Sequence, residues 1–446
     1  MRELRQLPPI ASVRKTVKRT ARRLVPAQVR YARRVTKRRR RRLKSLKTIR
    51  ENAKYYSSIV EYRDDFRVAL YFADTARNLY QIRQWFGPLI ELNKHVRVIL
   101  IIRNPNVAMK LRQETNLPIF FGRTIGQIEQ MLSIQKIDAV LYVNQNVRNF
   151  QMMRFNSPAH VFICHGESEK AYMWSNQLKA YDFVFSAGQA ARERLDSHLV
   201  NYDVGTRTYL VGRPQIDVEY EAPVELNPEF RTVLYAPTWE GDRPSMNYGS
   251  VSTHGLDLVR QIVESGEFNL IVRPHPRSGI NDRQYRRDLN EIRRYLMEAQ
   301  REDGPILYFD RSSQWGWQWG KADLCVSDVS AIAYDWMATG KPLLITQPVA
   351  PHAVLSDSPA LMHVPTLSAG PECEDFVQTA RVLVEHGPDG SYESLVDYYF
   401  GDTSSGASMQ RFIDASLDVM KQRAPLREGH ETGEEALEMS YPEDDE

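Results

Sequence analysis

Short apolar runs alternate with helical stretches from about residue 66 onward. Most of these runs are apolar on both faces, which is typical of parallel strands covered by helices on each side. The runs of strand length lie at residues 68–72, 96–102, 139–143, 161–164, 183–186, 209–211, 232–236, 270–272, 306–309, 324–326 and 343–346. Strands that alternate with helices predict an α/β fold with right-handed crossovers and doubly wound sheets.

Eleven strands are many for one open sheet, so the pattern favours two sheets of five or six strands. A Pro- and Glu-rich stretch at residues 219–229 reads as a connection, which places the boundary near residues 205–230. We therefore expect one Rossmann-like domain at 51–205 and a second at 206–424. Ligands of open α/β sheets bind beyond the carboxyl ends of the strands, so two facing sheets would hold a ligand in the cleft between them.

The two ends of the chain carry opposite charge. Residues 1–50 contain 20 Lys and Arg and a single acid, Glu3, whereas residues 428–446 contain nine acids and no Lys or Arg. We expect 1–50 to be a basic arm and 425–446 to be an acidic, disordered tail. The arm is not followed by the apolar segment of a secretory signal, and no run approaches the roughly 18 apolar residues of a membrane span.

Three widely spaced cysteines, Cys164, Cys325 and Cys373, fit no disulfide or metal pattern. They predict buried thiols in a reducing compartment. Together with the missing signal and span, this favours a cytoplasmic protein that is able to touch a membrane surface.

Polar and ionisable groups follow five of the predicted strands. These ends read His165-Gly166-Glu167-Ser168-Glu169-Lys170, Gly212-Arg213-Pro214-Gln215-Ile216-Asp217, Pro237-Thr238-Trp239-Glu240-Gly241, Arg273-Pro274-His275-Pro276-Arg277, and Ser327-Asp328-Val329-Ser330 with Asp335-Trp336 further on. One polar strand end is ordinary. Five in one chain predict a shared cleft.

Two of these strand ends suit a phosphate group. Ser327, Asp328 or Ser330 could cap a helix whose free N–H groups favour an anion, although a plain helix cap without a ligand explains the same residues. Arg273 and His275 would place two cations beside stiff prolines, or would form a surface turn with solvated side chains. His165, taken alone, fits a surface residue at a strand end as well as a catalyst.

Other chemistries have weaker signals. The chain has no Asp-X-Asp, no His-Glu-X-X-His and no Gly-X-Ser-X-Gly. The segment Gly316-Trp317-Gln318-Trp319-Gly320-Lys321 is one residue short of a phosphate-binding loop and lacks its Ser or Thr. The sequence therefore predicts no metal and no cofactor.

Taken together, the strand ends resemble the CDP-glycerol glycerophosphotransferase family, the polymerases and primases of teichoic acids and related capsules. The family's His-Gly-Thr-X-X-Lys element is similar to 165–170, with Glu167 in place of Thr. Its Gly-X-Pro-X-X-Asp, Tyr-Ala-Pro-Thr-Trp and His-Pro elements resemble 212–217, 235–239 and 275–276, and its Thr-Asp-Tyr-Ser-Ser…Phe-Asp-Tyr element resembles 327–336.

The resemblance implies a GT-B architecture, in which two Rossmann-like domains face each other across a cleft. It also implies a metal-independent transfer of glycerol phosphate from CDP-glycerol to a hydroxyl of a lipid-linked or polymer acceptor, with release of CMP. The resemblance makes His165 the general base, a role suited to an imidazole with an ordinary pKa of about 6.5.

The resemblance assigns His275 as the second catalytic residue. The residues that it assigns to substrate and donor binding are Gly166, Lys170, Arg213, Asp217, Thr238, Trp239, Arg273, Ser327, Asp328, Ser330 and Asp335. The carboxylates of Asp328 and Asp335 are poor phosphate ligands, so we expect them to orient a His or Arg or to accept from donor hydroxyls.

Enzymes of this family act on lipid-linked acceptors, so we expect the basic arm to bind anionic lipids at the inner face of the cell membrane. A nucleic-acid-binding tail and a solvated tail are the alternatives for the arm, and we expect no nucleic acid partner. Three alternatives remain for the whole protein. They are a GT-B glycosyltransferase that uses a nucleotide sugar, a transferase of CDP-ribitol type, and a polymer-binding protein that has lost catalysis.

Overall fold

The structure, a computed structural model, describes residues 27–51, 65–169, 171–241, 247–312, 316–349, 353, 363–369 and 375–431. Its N-terminal sheet has seven strands in the order β3-β2-β1-β4-β5-β6-β7, and every described pairing is parallel. The strands are β1 Val68–Phe72, β2 Val98–Ile102, β3 Ile119–Phe121, β4 Ala139–Tyr142, β5 Ala159–Phe162, β6 Phe183–Ser186 and β7 Thr208–Leu210.

The C-terminal sheet has six strands in the order β10-β9-β8-β11-β12-β13, again with parallel pairings throughout. The strands are β8 Arg231–Ala236, β9 Phe268–Val272, β10 Leu307–Phe309, β11 Leu324–Ser327, β12 Leu343–Thr346 and β13 Thr366–Leu367. The strand order reverses between β1 and β4 in the first sheet and between β8 and β11 in the second. Loops at such switch points form the ligand crevices of doubly wound sheets.

Helices surround both sheets and supply the crossovers. The described α-helices are α1 Ala27–Glu51, α2 Leu79–Arg83, α3 Phe86–Leu92, α4 Pro105–Leu111, α5 Ile125–Ile134, α6 Gln189–His198, α7 Val204–Arg207, α8 Leu256–Ser265, α9 Arg283–Ala299, α10 Trp317–Lys321, α11 Ala331–Met337, α12 Phe376–His386, α13 Gly390–Phe400 and α14 Ala407–Glu431. None of the helices in the described residues has the length and apolarity needed to cross a bilayer.

Alternate residues of each central strand enter different cores. On β1, Val68 and Leu70 pack into one cluster, while Ala69 and Tyr71 pack into the cluster on the opposite face of the sheet. The same alternation divides β8 between two clusters of the second domain. Because successive side chains of a strand point to opposite faces, a strand with helices on both sides must be apolar throughout. This explains the unbroken apolar runs in the sequence.

The N-terminal sheet, with seven strands, is larger than predicted and extends past residue 205, whereas the six strands of the C-terminal sheet agree with the predicted five or six. β3 and β13 were not predicted, because strands of three and two residues are too short to show a periodicity. β7 lies at 208–210 and pairs with β6, so the N-terminal sheet continues beyond the predicted boundary at residues 205/206. The last helix also returns to this domain, where Phe412 and Val419 lie in its core.

The basic arm is partly described. Its residues 27–51 form α1, whose end docks on the N-terminal domain through the buried side chains of Ser45 and Ile49. The Ser45 hydroxyl donates to Asn106 Oδ1 in the first turn of α4. Residues 1–26 and most of the predicted acidic tail, 432–446, lie outside the described residues.

Candidate active site

His165 is positioned by a sharp turn directly after β5. Cys164 has a φ of +52°, a left-handed conformation that is rare for a residue other than glycine, and its carbonyl accepts from Trp85 Nε1 at 2.6 Å. The half-buried His165 ring then donates from Nδ1 to the carbonyl of Val143 at 3.1 Å. Because a carbonyl can only accept, the proton lies on Nδ1, and the neutral ring carries its lone pair on Nε2.

His275 lies in the turn after β9, in the other domain. Its backbone N–H donates to the carbonyl of Pro237 at 3.1 Å, which joins this turn to the loop after β8. The backbone N–H of Arg277 donates to His275 Nδ1 at 3.2 Å. Since Nδ1 accepts, the neutral ring carries its proton on Nε2, which is the opposite tautomer to that of His165.

Tyr80 lies between the two histidines. Its ring centroid is 5.8 Å from that of His165, at an interplanar angle of 80°, and 5.5 Å from that of His275, at 73°. Tyr80 belongs to α2, which follows β1 at the switch point of the first sheet. Tyr80 was not predicted from the sequence, in which its place shortly after the first strand was the available signal.

Three further side chains extend the row of rings formed by His165, Tyr80 and His275. Tyr172 stacks on His165 at 6.3 Å, and Trp239 stacks on His275 at 6.2 Å. The guanidinium carbon of Arg277 lies 3.7 Å from the centroid of the Trp239 ring. The six side chains, Tyr172, His165, Tyr80, His275, Trp239 and Arg277, form a continuous series that we call the ring series. It runs from the N-terminal domain to the C-terminal domain.

Glu167, the departure from the family pattern, contacts α6. Its buried carboxylate forms an ion pair with Arg194 on α6 and accepts from the N–H of Ser168 at 3.0 Å. Burial raises the pKa of Glu167, and the nearby Arg194 lowers it in opposition. Glu167 therefore anchors the His165 loop to α6.

Asp328 organises the loops of the C-terminal domain from a fully buried position. Its Oδ2 accepts from the N–H groups of Thr238 at 2.7 Å and Ser250 at 3.2 Å, and its Oδ1 accepts from Thr346 Oγ1 at 2.6 Å. Burial raises the pKa of Asp328 to about 6 against these hydrogen bonds. None of these partners is a His or an Arg, so in the described contacts Asp328 holds the backbone of the loop before Trp239.

The two predicted serines lie together at the start of α11. Ser327 Oγ donates to the carbonyl of Ala236 at 2.9 Å and lies 3.2 Å from Ser330 Oγ. Ser330 occupies the N-cap position of the helix without a side-chain capping bond. The plain helix-cap explanation therefore does not account for its hydroxyl.

Arg213 and Asp335 join the two domains beneath the His165 turn. Arg213 Nε lies 2.9 Å from Asp335 Oδ1 on α11, and both side chains are buried. Burial raises the pKa of Asp335 to about 6, and Arg213 opposes this effect. Gly166 fits closely here, because a Cβ at this position would lie 3.1 Å from the Cβ of Ala331. The carboxylate of Asp335 thus lies against the guanidinium of Arg213.

Two predicted binding residues contact other protein groups away from the ring series, and a third is not described. Arg273 forms an ion pair with the buried carboxylate of Asp310. Asp217 accepts from the N–H groups of Gly406 at 3.0 Å and Met409 at 2.7 Å, which makes it a cap for the start of α14. Lys170 lies outside the described residues. The described residues also contain no group of three or more His, Cys, Asp or Glu that could hold a metal ion.

Most residues of this site lie in a stretch of the chain whose sequence matches a known family. Residues 159–349, somewhat less than half of the chain, match the model of CDP-Glycerol:Poly(glycerophosphate) glycerophosphotransferase. Both histidines lie within the matched range, and the resemblance inferred from the strand ends is confirmed there. The match indicates a transferase of glycerophosphate groups. Comparison with curated proteins gives no match.

Solved structures share the architecture over most of the chain. The wall teichoic acid polymerase TagF is 12% identical, with a TM-score of 0.51 over 87% of this chain and 99% of that one. A variant of TagF soaked with CDPG gives a TM-score of 0.54 at 12% identity and the same coverage. A UDP-N-acetylglucosamine 2-epimerase gives 0.51 at 12% identity, over 79% of this chain and 96% of that one. These likenesses confirm the predicted GT-B-like fold.

Proposed function

We propose that this protein transfers glycerol phosphate from CDP-glycerol to a hydroxyl of a lipid-linked or polymer acceptor and releases CMP. The product would be a teichoic-acid-like or capsule polymer of the cell surface. The observation that carries the proposal is the pair of opposite tautomers, His165 and His275, that face Tyr80 from the two domains. The family match over residues 159–349 supports the choice of donor.

His165 is the general base in this proposal. Its Nε2 takes the proton from the acceptor hydroxyl while the hydroxyl oxygen attacks the glycerol-bearing phosphorus. A new P–O bond forms to the acceptor, and the P–O bond to CMP breaks. The hydrogen bond from Nδ1 to Val143 supports this role, because it presents the lone pair on Nε2 and stabilises the ring once it is protonated.

His275 is the donor-side partner. Its tautomer presents an N–H at Nε2, which can donate to a phosphate oxygen and stabilise the charge that develops as CMP leaves. Gly166, Thr238, Trp239, Ser327 and Ser330 would surround the donor at the same strand ends. Arg213, Asp328 and Asp335 would act indirectly, through the loops and side chains that they contact, and Arg273 would hold the turn that carries His275.

The basic arm would hold the enzyme at the cytoplasmic face of the membrane. Residues 31–44 of α1 are exposed, and they include the run Arg38-Arg39-Arg40-Arg41-Arg42. Ser45 anchors α1 beside the N-terminus of α4, which begins three residues after β2 ends. This is the carboxyl edge of the first sheet, the same edge that carries His165. A lipid-linked acceptor would therefore meet the cleft from the side on which the arm is docked.

A panel of activated donors tests the proposal. The full chain is incubated with CDP-glycerol, CDP-ribitol or UDP-N-acetylglucosamine together with a lipid-linked glycerol phosphate acceptor, and nucleotide release is measured. The proposal expects CMP release from CDP-glycerol that depends on the acceptor. Nucleotide release from CDP-ribitol alone would indicate a transferase of CDP-ribitol type, and release from the UDP-sugar alone would indicate a glycosyltransferase. Release from none of the donors would favour a non-catalytic protein.

A further inference from the structure

Two arginines flank the His-Pro turn after β9, and their surroundings differ. The side chain of Arg273 is 10% exposed, and its guanidinium forms an ion pair with Asp310. The same carboxylate also accepts from Gln318 Nε2 at 2.7 Å and from the N–H of Ser312 at 2.8 Å. The charge of Arg273 is therefore matched inside the domain, where burial lowers the pKa of its guanidinium. A cation that is paired with a buried carboxylate in this way is suited to holding a loop.

Arg277 lies on the cleft side of the same turn. Its half-buried guanidinium lies over the face of Trp239, with 3.7 Å between the guanidinium carbon and the ring centroid. Within the part of the chain that the structure describes, no Asp or Glu carboxylate lies within 4 Å of it. A cation–π contact fixes the plane of a guanidinium without neutralising its charge. Arg277 is thus a preorganised cation.

The position of Arg277 places this charge at the site already described. Arg277 ends the ring series, and its own backbone N–H sets the tautomer of His275. Its charge also reaches Tyr80, where it lowers the pKa of the phenol against the larger effect of burial, which raises it. The guanidinium therefore lies on the indole that stacks against His275, the residue proposed above to donate to a phosphate oxygen.

We propose that Arg277 is the cation that binds the diphosphate of the nucleotide donor. The identity of that donor rests on the function proposed above, whereas the guanidinium and the imidazole N–H by themselves fit an anionic, phosphate-bearing ligand. The guanidinium fork can donate two parallel hydrogen bonds to phosphate oxygens while Trp239 holds its plane. His275, two residues earlier, would donate to the same group from its Nε2–H.

Substitutions can distinguish a diphosphate-binding role of Arg277 from a role in packing the loop. A packing role would depend on the shape of the side chain, whereas a diphosphate-binding role depends on charge and on the geometry of the fork. Arg277→Gln removes the charge and keeps much of the length. Arg277→Lys keeps the charge and loses the fork and the planar stacking. Arg294→Gln, on the exposed face of α9, is the matched control for the same loss of charge in the same domain.

The experiment is calorimetric titration of the full-length protein and the three variants with CDP-glycerol, with UDP-N-acetylglucosamine and, separately, with inorganic pyrophosphate. Thermal unfolding of each variant confirms that it is folded. We expect Arg277→Gln to weaken CDP-glycerol binding about 10- to 100-fold, Arg277→Lys to fall between it and the wild type, and Arg294→Gln to stay within about twofold. The Arg277→Gln variant should also show a weaker dependence of affinity on salt than the wild type.

Affinity and salt dependence unchanged in Arg277→Gln would overturn the assignment, as would an equal loss in Arg294→Gln. A wild type that binds pyrophosphate and a UDP-sugar but not CDP-glycerol would reject the proposed donor, and Arg277 is then judged by the same comparison on the UDP-sugar. A wild type that binds neither pyrophosphate nor any of these donors would overturn the Arg277 assignment itself.

Discussion

His165 and His275 are held in opposite tautomers on the two sides of Tyr80. The carbonyl of Val143 fixes the proton of His165 on Nδ1, and the N–H of Arg277 fixes that of His275 on Nε2. One imidazole is therefore set to accept a proton at Nε2 and the other to donate a hydrogen bond from the same atom. Because backbone groups impose both states, the division of roles follows from the paths of two loops.

Tyr80 should control the spacing of the two imidazoles. Tyr80→Phe keeps the ring that both histidines contact, so we expect kcat/KM for CDP-glycerol within about threefold of the wild type. Tyr80→Ala removes the shared wall, and we expect a loss of about 10- to 100-fold, since small displacements of reacting groups have effects of this size. Tyr295→Ala, on the outer helix α9, is the control for truncation of a tyrosine. Wild-type turnover by Tyr80→Ala would remove Tyr80 from the site.

Glu167 should matter for stability and not for transfer. Glu167→Gln leaves the guanidinium of Arg194 with the more distant carboxylate of Glu169, 3.9 Å away. We expect the free energy of unfolding to fall by about 3 kcal/mol, because one partner of a buried ion pair is lost. Turnover per folded molecule should stay within about twofold.

Urea denaturation and initial rates, measured at a temperature where both proteins are folded, test this expectation. Glu129→Gln, on the exposed face of α5, is the control and should change stability by less than about 0.5 kcal/mol. A loss of turnover without a loss of stability would instead place Glu167 at the acceptor.

Asp328 should make the stability of the protein depend on pH. Its pKa is about 6 in the folded state against an ordinary 3.8, so the folded protein binds this proton more tightly than the unfolded chain does. The stability it contributes is fully present below about pH 4 and is lost as the pH rises through 6. Asp328→Asn resembles the protonated acid, because its amide oxygen can still accept from Thr238 and Ser250.

Urea denaturation at several pH values between 4 and 7 measures this effect. Relative to that of the wild type, the free energy of unfolding of Asp328→Asn should rise by about 3 kcal/mol over this range, at about 1.4 kcal/mol per pH unit. Asp328→Ala leaves two buried N–H groups without an acceptor, so its free energy of unfolding should be lower than that of the wild type by about 2–5 kcal/mol at every pH. Parallel pH profiles for the wild type and Asp328→Asn would show that Asp328 does not ionise in this range.

The basic arm should bind membranes through charge. In co-sedimentation with vesicles, we expect the full chain to bind anionic vesicles, to ignore neutral ones, and to dissociate in high salt. Replacing Arg38, Arg39, Arg41 and Arg42 by Gln should weaken binding at least about tenfold, since each Arg near an anionic surface contributes about 1 kcal/mol. Equal binding to neutral and anionic vesicles would rule out this account.

The matched control neutralises the same number of charges elsewhere. Arg283, Arg287, Arg293 and Arg294 are exposed on α9, and their replacement by Gln should leave vesicle binding within about twofold. A loss equal to that of the arm variant would mean that net charge matters and the position of the arm does not.

The architecture was predictable from the sequence because burial on both faces leaves a direct mark, an unbroken apolar run, and most strands carry it. Contacts between distant residues leave no such mark. Arg273 and Arg277 flank the same turn, and nothing local indicates that Arg273 pairs with Asp310, 37 residues away, while Arg277 faces the cleft. Asp217 follows a family motif, yet its carboxylate caps a helix nearly 190 residues later. Tyr80 belongs to no motif, and only the packing of the two domains brings it to both histidines.

The most direct test of the central claim is CMP release from CDP-glycerol with a lipid-linked glycerol phosphate acceptor, measured alongside donor affinity. The account predicts that the wild type releases one CMP for each glycerol phosphate added to the acceptor. His165→Ala should release at least about 100-fold less while it binds the donor within about threefold of the wild type, and His275→Ala should lose donor affinity. Near wild-type CMP release by His165→Ala, or a wild type that releases none, would contradict the account.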